Sequence, residues 1–171
     1  MRTRMIVLVG LCVLAFGMTS AFAQDMMKIA GKMEATYVKH EPMEVGDTDE
    51  HMMILGRSEG TNTSTGEHMF MDGAQLVNVS FADLVKGNGP HDGYIRFTKG
   101  EDAVYAKWQG TVTTMMSDEG TPMMSFEGTF TYTGGMGQYM GIKGSGTYKG
   151  HFTSETDYVT EWEGEYALME D

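Results

Sequence analysis

The chain has 171 residues, with 24 acidic and 12 basic side chains, and a formal charge of -12. A surface of that sign repels nucleic acid and anionic lipid, so neither is expected as a partner. The single cysteine, Cys12, lies in the first apolar run, which leaves the rest of the chain without a disulfide or a thiol nucleophile.

The first residues read as a targeting segment. Arg2 and Arg4 form a short positive stretch, Met5 to Phe16 is apolar, and Ala21-Phe22-Ala23 is a small-x-small cleavage site. Residues 1–23 are therefore expected to be a signal peptide, with the mature chain starting at Gln24 and exported to the periplasm or beyond. The apolar run is too short for a membrane anchor, so no membrane insertion is expected after cleavage. Leu11 stands where a lipid-attached Cys12 would need a small residue. Loss of Arg2 and Arg4 takes the formal charge from -12 to -14. About 150 residues remain, enough for one core and too few to suggest two, so 24–171 is read as a single domain.

That domain shows no long helical period. Gly, Thr, Ser and aromatics are frequent, and short alternating runs recur between turn signals, the pattern of a many-stranded antiparallel protein. Strands are predicted at Met33 to His40, at His51 to Ser58 ahead of a loop from Glu59 to Gly66, and at Glu67 to Met71 before an Asp72-Gly73 turn. Ala74 to Val85 follows, then a loop from Lys86 to Gly93, a strand from Tyr94 to Thr98 and a hairpin turn at Lys99 to Asp102. Ala103 to Met115 and Met123 to Thr133 flank a turn at Ser117 to Pro122. Gly144 to Leu168 is one long bent strand or two. The count is eight or nine.

Alternation assigns the faces. Val104, Ala106, Trp108, Gly110 and Val112 share one side of their strand, and Tyr158, Thr160, Trp162, Gly164 and Tyr166 share one side of the last. Glu161, Glu163 and Glu165 lie opposite and must be solvated. Gly110, Gly128 and Gly164 sit mid-strand on the aromatic side, where glycine marks sharp coiling or close packing against a ring. The expected fold is all-β, a closed or nearly closed antiparallel barrel of about eight strands, with a two-sheet sandwich as the alternative.

Phe126 to Gly150, FEGTFTYTGGMGQYMGIKGSGTYKG, is the most distinctive stretch. Its Gly134, Gly135, Gly137, Tyr139, Gly141, Gly144 and Gly146 resemble the glycine hairpin of the allene oxide cyclase-like barrel families, which include exported bacterial relatives and, more distantly, dirigent proteins. Met136 stands in place of the usual threonine. The resemblance covers roughly Ala103 to Gly150 and implies an eight-stranded antiparallel barrel. Those cyclases hold an unstable epoxide in a hydrophobic barrel beside a carboxylate, but none of their functional residues aligns here outside the hairpin.

No G-x-S-x-G, H-E-x-x-H or phosphate-binding loop occurs. Three candidate sites remain. Trp108, Trp162, Tyr148, Tyr132 and Tyr166 are placed to line a barrel mouth and hold a small apolar or amphipathic molecule. The same cavity would serve a cofactorless cyclase or isomerase if a buried carboxylate faced it, with Glu127, Asp83 and Asp102 as the residues to examine. Eighteen methionines form the third oddity. His51 with Met53, and His68 with Met69 and Met71, have the soft donors of a copper site; core filling and an oxidant sink are the competing readings. His91 and Asp92 fall in the polar Lys86 to Gly93 loop, where turn chemistry is the ordinary role. Arg96 is expected on the outer face, opposite Ile95 and Phe97. The leading expectation is an exported, non-enzymatic barrel without a cofactor.

Overall fold

The computed structural model describes residues 26–169. The predicted signal segment lies outside them. The described chain is a run of eight strands, β1 Met27–Glu44, β2 His51–Ser64, β3 Gln75–Val85, β4 Gly89–Lys99, β5 Asp102–Met116, β6 Pro122–Met136, β7 Ile142–Phe152 and β8 Asp157–Leu168. Each strand pairs antiparallel with the next, and β8 returns to β1, for example Gly31 opposite Trp162, so the sheet closes as a barrel in sequence order. Closure removes the exposed edges that an open sheet of this composition would present.

The faces follow the predicted alternation. Val104, Ala106 and Val112 of β5, and Tyr158, Trp162 and Tyr166 of β8, are buried. Arg96 and the three glutamates of β8 are exposed on the outside. Three predicted segments differ from the structure, and β1 runs wider at both ends than the predicted Met33 to His40. The Thr- and Asn-rich segment from Glu59 continues β2 as far as Ser64, because its inward positions Gly60 and Asn62 still pair with Ala35 and Met33 of β1, and Gly60 also with Leu76 of β3. Glu67 to Met71 is part of a loop, not a strand. The loop read from Lys86 to Gly93 is a short turn, and Gly89 already begins β4. Gly144 to Leu168 holds two strands, the second of the two predicted alternatives, with the turn at 153–156 between them.

The interior is filled at one end. The β2–β3 loop folds under the barrel and pushes Phe70 into it, where the ring is 1% exposed. Phe70 meets Tyr139 edge-on at 5.2 Å and Trp162 edge-on at 5.8 Å, with Tyr132 and Tyr166 at 5.7 and 5.2 Å. Burying such a ring contributes roughly 1.5–3 kcal/mol. Asn62, fully buried on β2, fixes the loop: its amide donates to the carbonyls of Phe70 (3.1 Å) and Met71 (2.9 Å), and its oxygen accepts from Trp162 Nε1 (3.0 Å). All of its side-chain hydrogen-bonding groups are used, which is the condition for a buried amide to be tolerated.

Glycines decide how the remaining rings pack. His91, Gly110, Gly128 and Tyr148 stand in one cross-strand row over β4 to β7. With no side chain at the two central positions, Tyr148 lies across the wall towards His91. A Cβ on Gly128 would sit 2.5 Å from the Tyr148 hydroxyl, and one on Gly110 2.6 Å from it, with strand carbonyls closer still. Gly134, by contrast, has open space where its Cβ would be.

Gly128→Val is therefore expected to destabilise the barrel by about 3 kcal/mol through overpacking, and Gly134→Ala to stay within about 0.5 kcal/mol of the parent. Urea unfolding of the two variants checks this; equal effects would contradict the assigned role of Gly128.

Candidate functional site: an aromatic cavity at the open end

The end of the barrel formed by the β1–β2, β3–β4, β5–β6 and β7–β8 connections is not plugged. A cavity of about 790 Å³ runs inward from it, stopping at Phe70, Tyr132 and Trp162. That volume lies within the range of small-molecule pockets. Trp108, Phe126, Tyr148, Phe152 and Tyr158 line its walls, and His40, Met115, Met123, His151 and Glu155 its rim. Of the five aromatic residues singled out from the sequence, Trp108, Tyr148, Tyr132 and Trp162 border this space. They do so along the walls and at the floor rather than at the mouth. Tyr166 does not border it: it packs at the closed end against Phe70 and Tyr139, because its strand has by then passed beneath the plug.

The lining carries no Lys or Arg among the described residues, and Glu155 on the rim is its one carboxylate. Several of its inner polar groups form a chain of hydrogen bonds. Trp108 Nε1 donates to Asn78 Oδ1 at 2.8 Å, the Asn78 amide donates to the Tyr158 hydroxyl at 3.2 Å, and that hydroxyl lies 2.5 Å from Ser58 Oγ. Burial raises the pKa of Tyr158, against hydrogen bonds from Ser58 and Asn78 that lower it. This chain ties β5, β3, β8 and β2 together across the interior.

The second polar feature is His91, on the inner face of β4. The sequence predicts a loop for it, beside Asp92. Proline at position 90 and flanking glycines gave that impression, yet Pro90 sits in a strand, opposite Thr111. Asp92 points outward and is exposed. The partner of His91 is Tyr148, whose hydroxyl lies 3.0 Å from Nε2; Trp108 stands edge-on to the imidazole at 4.9 Å. Burial lowers the His91 pKa to about 4, against weaker upward pulls from Asp92 and the Glu127 backbone. Burial likewise raises the pKa of Tyr148. Both groups are therefore uncharged at neutral pH. The alternation across Gly89 to Phe97 was the signal that could have found this pair.

The carboxylates proposed for a cyclase lie elsewhere. Glu127 is exposed on the outer face of β6, opposite Lys149. Asp83 is outside β3, accepting from His51 Nε2 at 2.6 Å. Asp102 is at the closed end, accepting from the backbone N–H of Gln138 at 2.9 Å and from its side-chain amide at 2.6 Å.

The copper arrangement also fails to assemble. His51 and Met53 begin β2 at the open end, whereas His68, Met69 and Met71 belong to the loop beyond Ser64, at the closed end. The 14 residues between His51 and Ser64 span about 40 Å of strand. Both nitrogens of His51 are engaged, Nδ1 with Asp47 at 2.5 Å and Nε2 with Asp83. Met71 is buried beneath the barrel and Met69 exposed.

No family model matches the chain, and no curated protein matches it. Among solved structures it is similar to a pterocarpan synthase dirigent protein, at 9% sequence identity and a TM-score of 0.47, over 86% of this chain and 88% of that one. The fold stands on the strand pairing itself, independently of that likeness.

Two histidines give stability opposite pH dependences. His91 is held neutral, so the unfolded chain takes up a proton that the folded chain refuses, and stability falls as pH drops from 6.5 towards about 4. His51 has a pKa raised above 6.5 by hydrogen bonds to Asp83 and Asp47, so its contribution is present below that value and lost as pH rises through the raised one. His91→Gln should flatten the acid side of a stability–pH curve, and His51→Gln should cost more below pH 6.5 than on the alkaline side. Urea midpoints over a pH series read both slopes; parallel curves for parent and variants would contradict the assignment.

Proposed function

We propose that this protein is an exported, non-enzymatic barrel that binds a small, uncharged and largely apolar molecule entering through the open end. The observation that carries the reading is the cavity of about 790 Å³, walled by aromatic rings and without a lysine or arginine among its described lining residues. A ligand charge buried deep in it, beyond the rim residues Glu155, His40 and His151, would meet no charged side chain, and an unpaired buried charge is costly. The His91–Tyr148 pair offers one polar contact deep on the wall. Export rests on the signal-like first 23 residues. The resemblance of the glycine hairpin to the allene oxide cyclase-like families supports a ligand-holding barrel of that kind.

A cofactorless cyclase or isomerase is the second reading, carried by the same histidine and tyrosine. With the imidazole pKa near 4 and the phenol raised, neither group exchanges its proton readily at neutral pH. The pair is suited to orienting a ligand more than to acid–base catalysis.

Titration with N-phenyl-1-naphthylamine, a neutral probe, should give saturable binding with quenching of tryptophan emission. Ala82→Trp, which fills the cavity wall, should weaken binding at least tenfold, about 1.4 kcal/mol, while near-UV circular dichroism shows the fold retained. Absence of saturable binding, or an unchanged affinity in a folded Ala82→Trp variant, would overturn the reading. Turnover of a bound molecule would favour the second one.

A further inference from the structure

Methionine is the commonest exposed large apolar side chain among the described residues, ahead of four valines. Among the described residues, the exposed large apolar side chains include one leucine and no isoleucine or phenylalanine, yet methionine supplies more than half of them. They gather at the two ends. At the open end Met43, Met115, Met116 and Met123 are 53%, 58%, 65% and 53% exposed. Met115 and Met123 face each other directly across the β5–β6 hairpin, and both border the cavity rim. Leucine would supply the same apolar bulk there. What thioether adds is a sulfur lone pair open to oxidants, and its sulfoxide can be reduced enzymatically.

Behind that rim lie the groups that oxidation would damage without repair. Trp108 is held by its indole N–H to Asn78, and Tyr148 and His91 stand against it. The interior hydrogen bonds and ring packing depend on the intact indole. Met115 and Met123 stand on the rim by which an oxidant would enter the cavity.

We infer that the methionines of the open rim are sacrificial oxidation sites that intercept two-electron oxidants, such as hypochlorous acid, before they reach Trp108. In the step proposed, sulfur attacks the chlorine of hypochlorous acid and hydroxide leaves. Water then displaces chloride from the chlorosulfonium, and loss of two protons gives the sulfoxide. Sulfur gives up two electrons and chlorine, leaving as chloride, accepts them.

Stepwise addition of hypochlorous acid to the folded protein, followed by peptide mass spectrometry, tests this. Sulfoxide is expected at Met115, Met116 and Met123 before Trp108 is modified, with buried Met71 spared. A Met115→Leu/Met116→Leu/Met123→Leu variant should lower the dose at which half of Trp108 is oxidised. The fall should be larger than in a closed-end control, Met69→Leu/Met136→Leu/Met140→Leu, which removes as many sulfurs away from the cavity. Modification of Trp108 in step with the rim methionines of the parent would overturn the inference. So would equal shifts in the two variants. If the rim variant does not fold, the order of modification in the parent decides alone.

Discussion

The rings inside this barrel lie on glycine, and most of the interior follows from that. A closed eight-stranded sheet has little room between its walls, and side chains can fill such a barrel completely. Where the inner wall carries a glycine beside a ring, the ring lies back against the sheet and space opens in front of it. Tyr148 over Gly128 and Gly110 is the clearest case: the two vacant positions let a tyrosine on β7 reach a histidine on β4. Trp108 lies over Gly93 in the same manner. Rings flattened along the walls leave the open half hollow.

The closed half is filled by different means. There a loop supplies the filling, and Phe70 occupies the axis among four other aromatic rings. Asn62 joins that plug to the wall by satisfying two loop carbonyls and one indole N–H. The barrel thus has a floor and a mouth, and the asymmetry gives the cavity its single direction of entry. Trp108, Asn78, Tyr158 and Ser58 satisfy one another, so the space is shaped by hydrogen bonds yet presents mostly apolar surface.

Much of the architecture was legible because period-two alternation is strong wherever one face is buried and the other solvated. The β5 and β8 faces, with Trp108 and Trp162 inward and Glu161 to Glu165 outward, could be read directly. Two kinds of feature could not. The inward face of β2 carries Gly56, Ser58, Gly60 and Asn62, which lack the hydrophobic signature; they are inside because rings and a loop need their small size and hydrogen bonds. His91 was hidden by Pro90 and the glycines around it, which imitate a turn although closure holds them in a strand. The proposed copper residues failed for a related reason. Strand periodicity places side chains on faces, but it cannot say that the loop after β2 folds beneath the far end, putting His68, Met69 and Met71 a barrel's length from His51.

The central claim is that the interior is divided into a packed half and an accessible hollow half. Diffraction from crystals pressurised with xenon measures this directly, since xenon enters apolar cavities without needing a specific partner. The account predicts ordered xenon between Trp108, Tyr148 and Phe126, and none beside Phe70 and Tyr139. An upper interior closed by collapsed rings and empty of xenon, or gas bound at the Phe70 end, would contradict it.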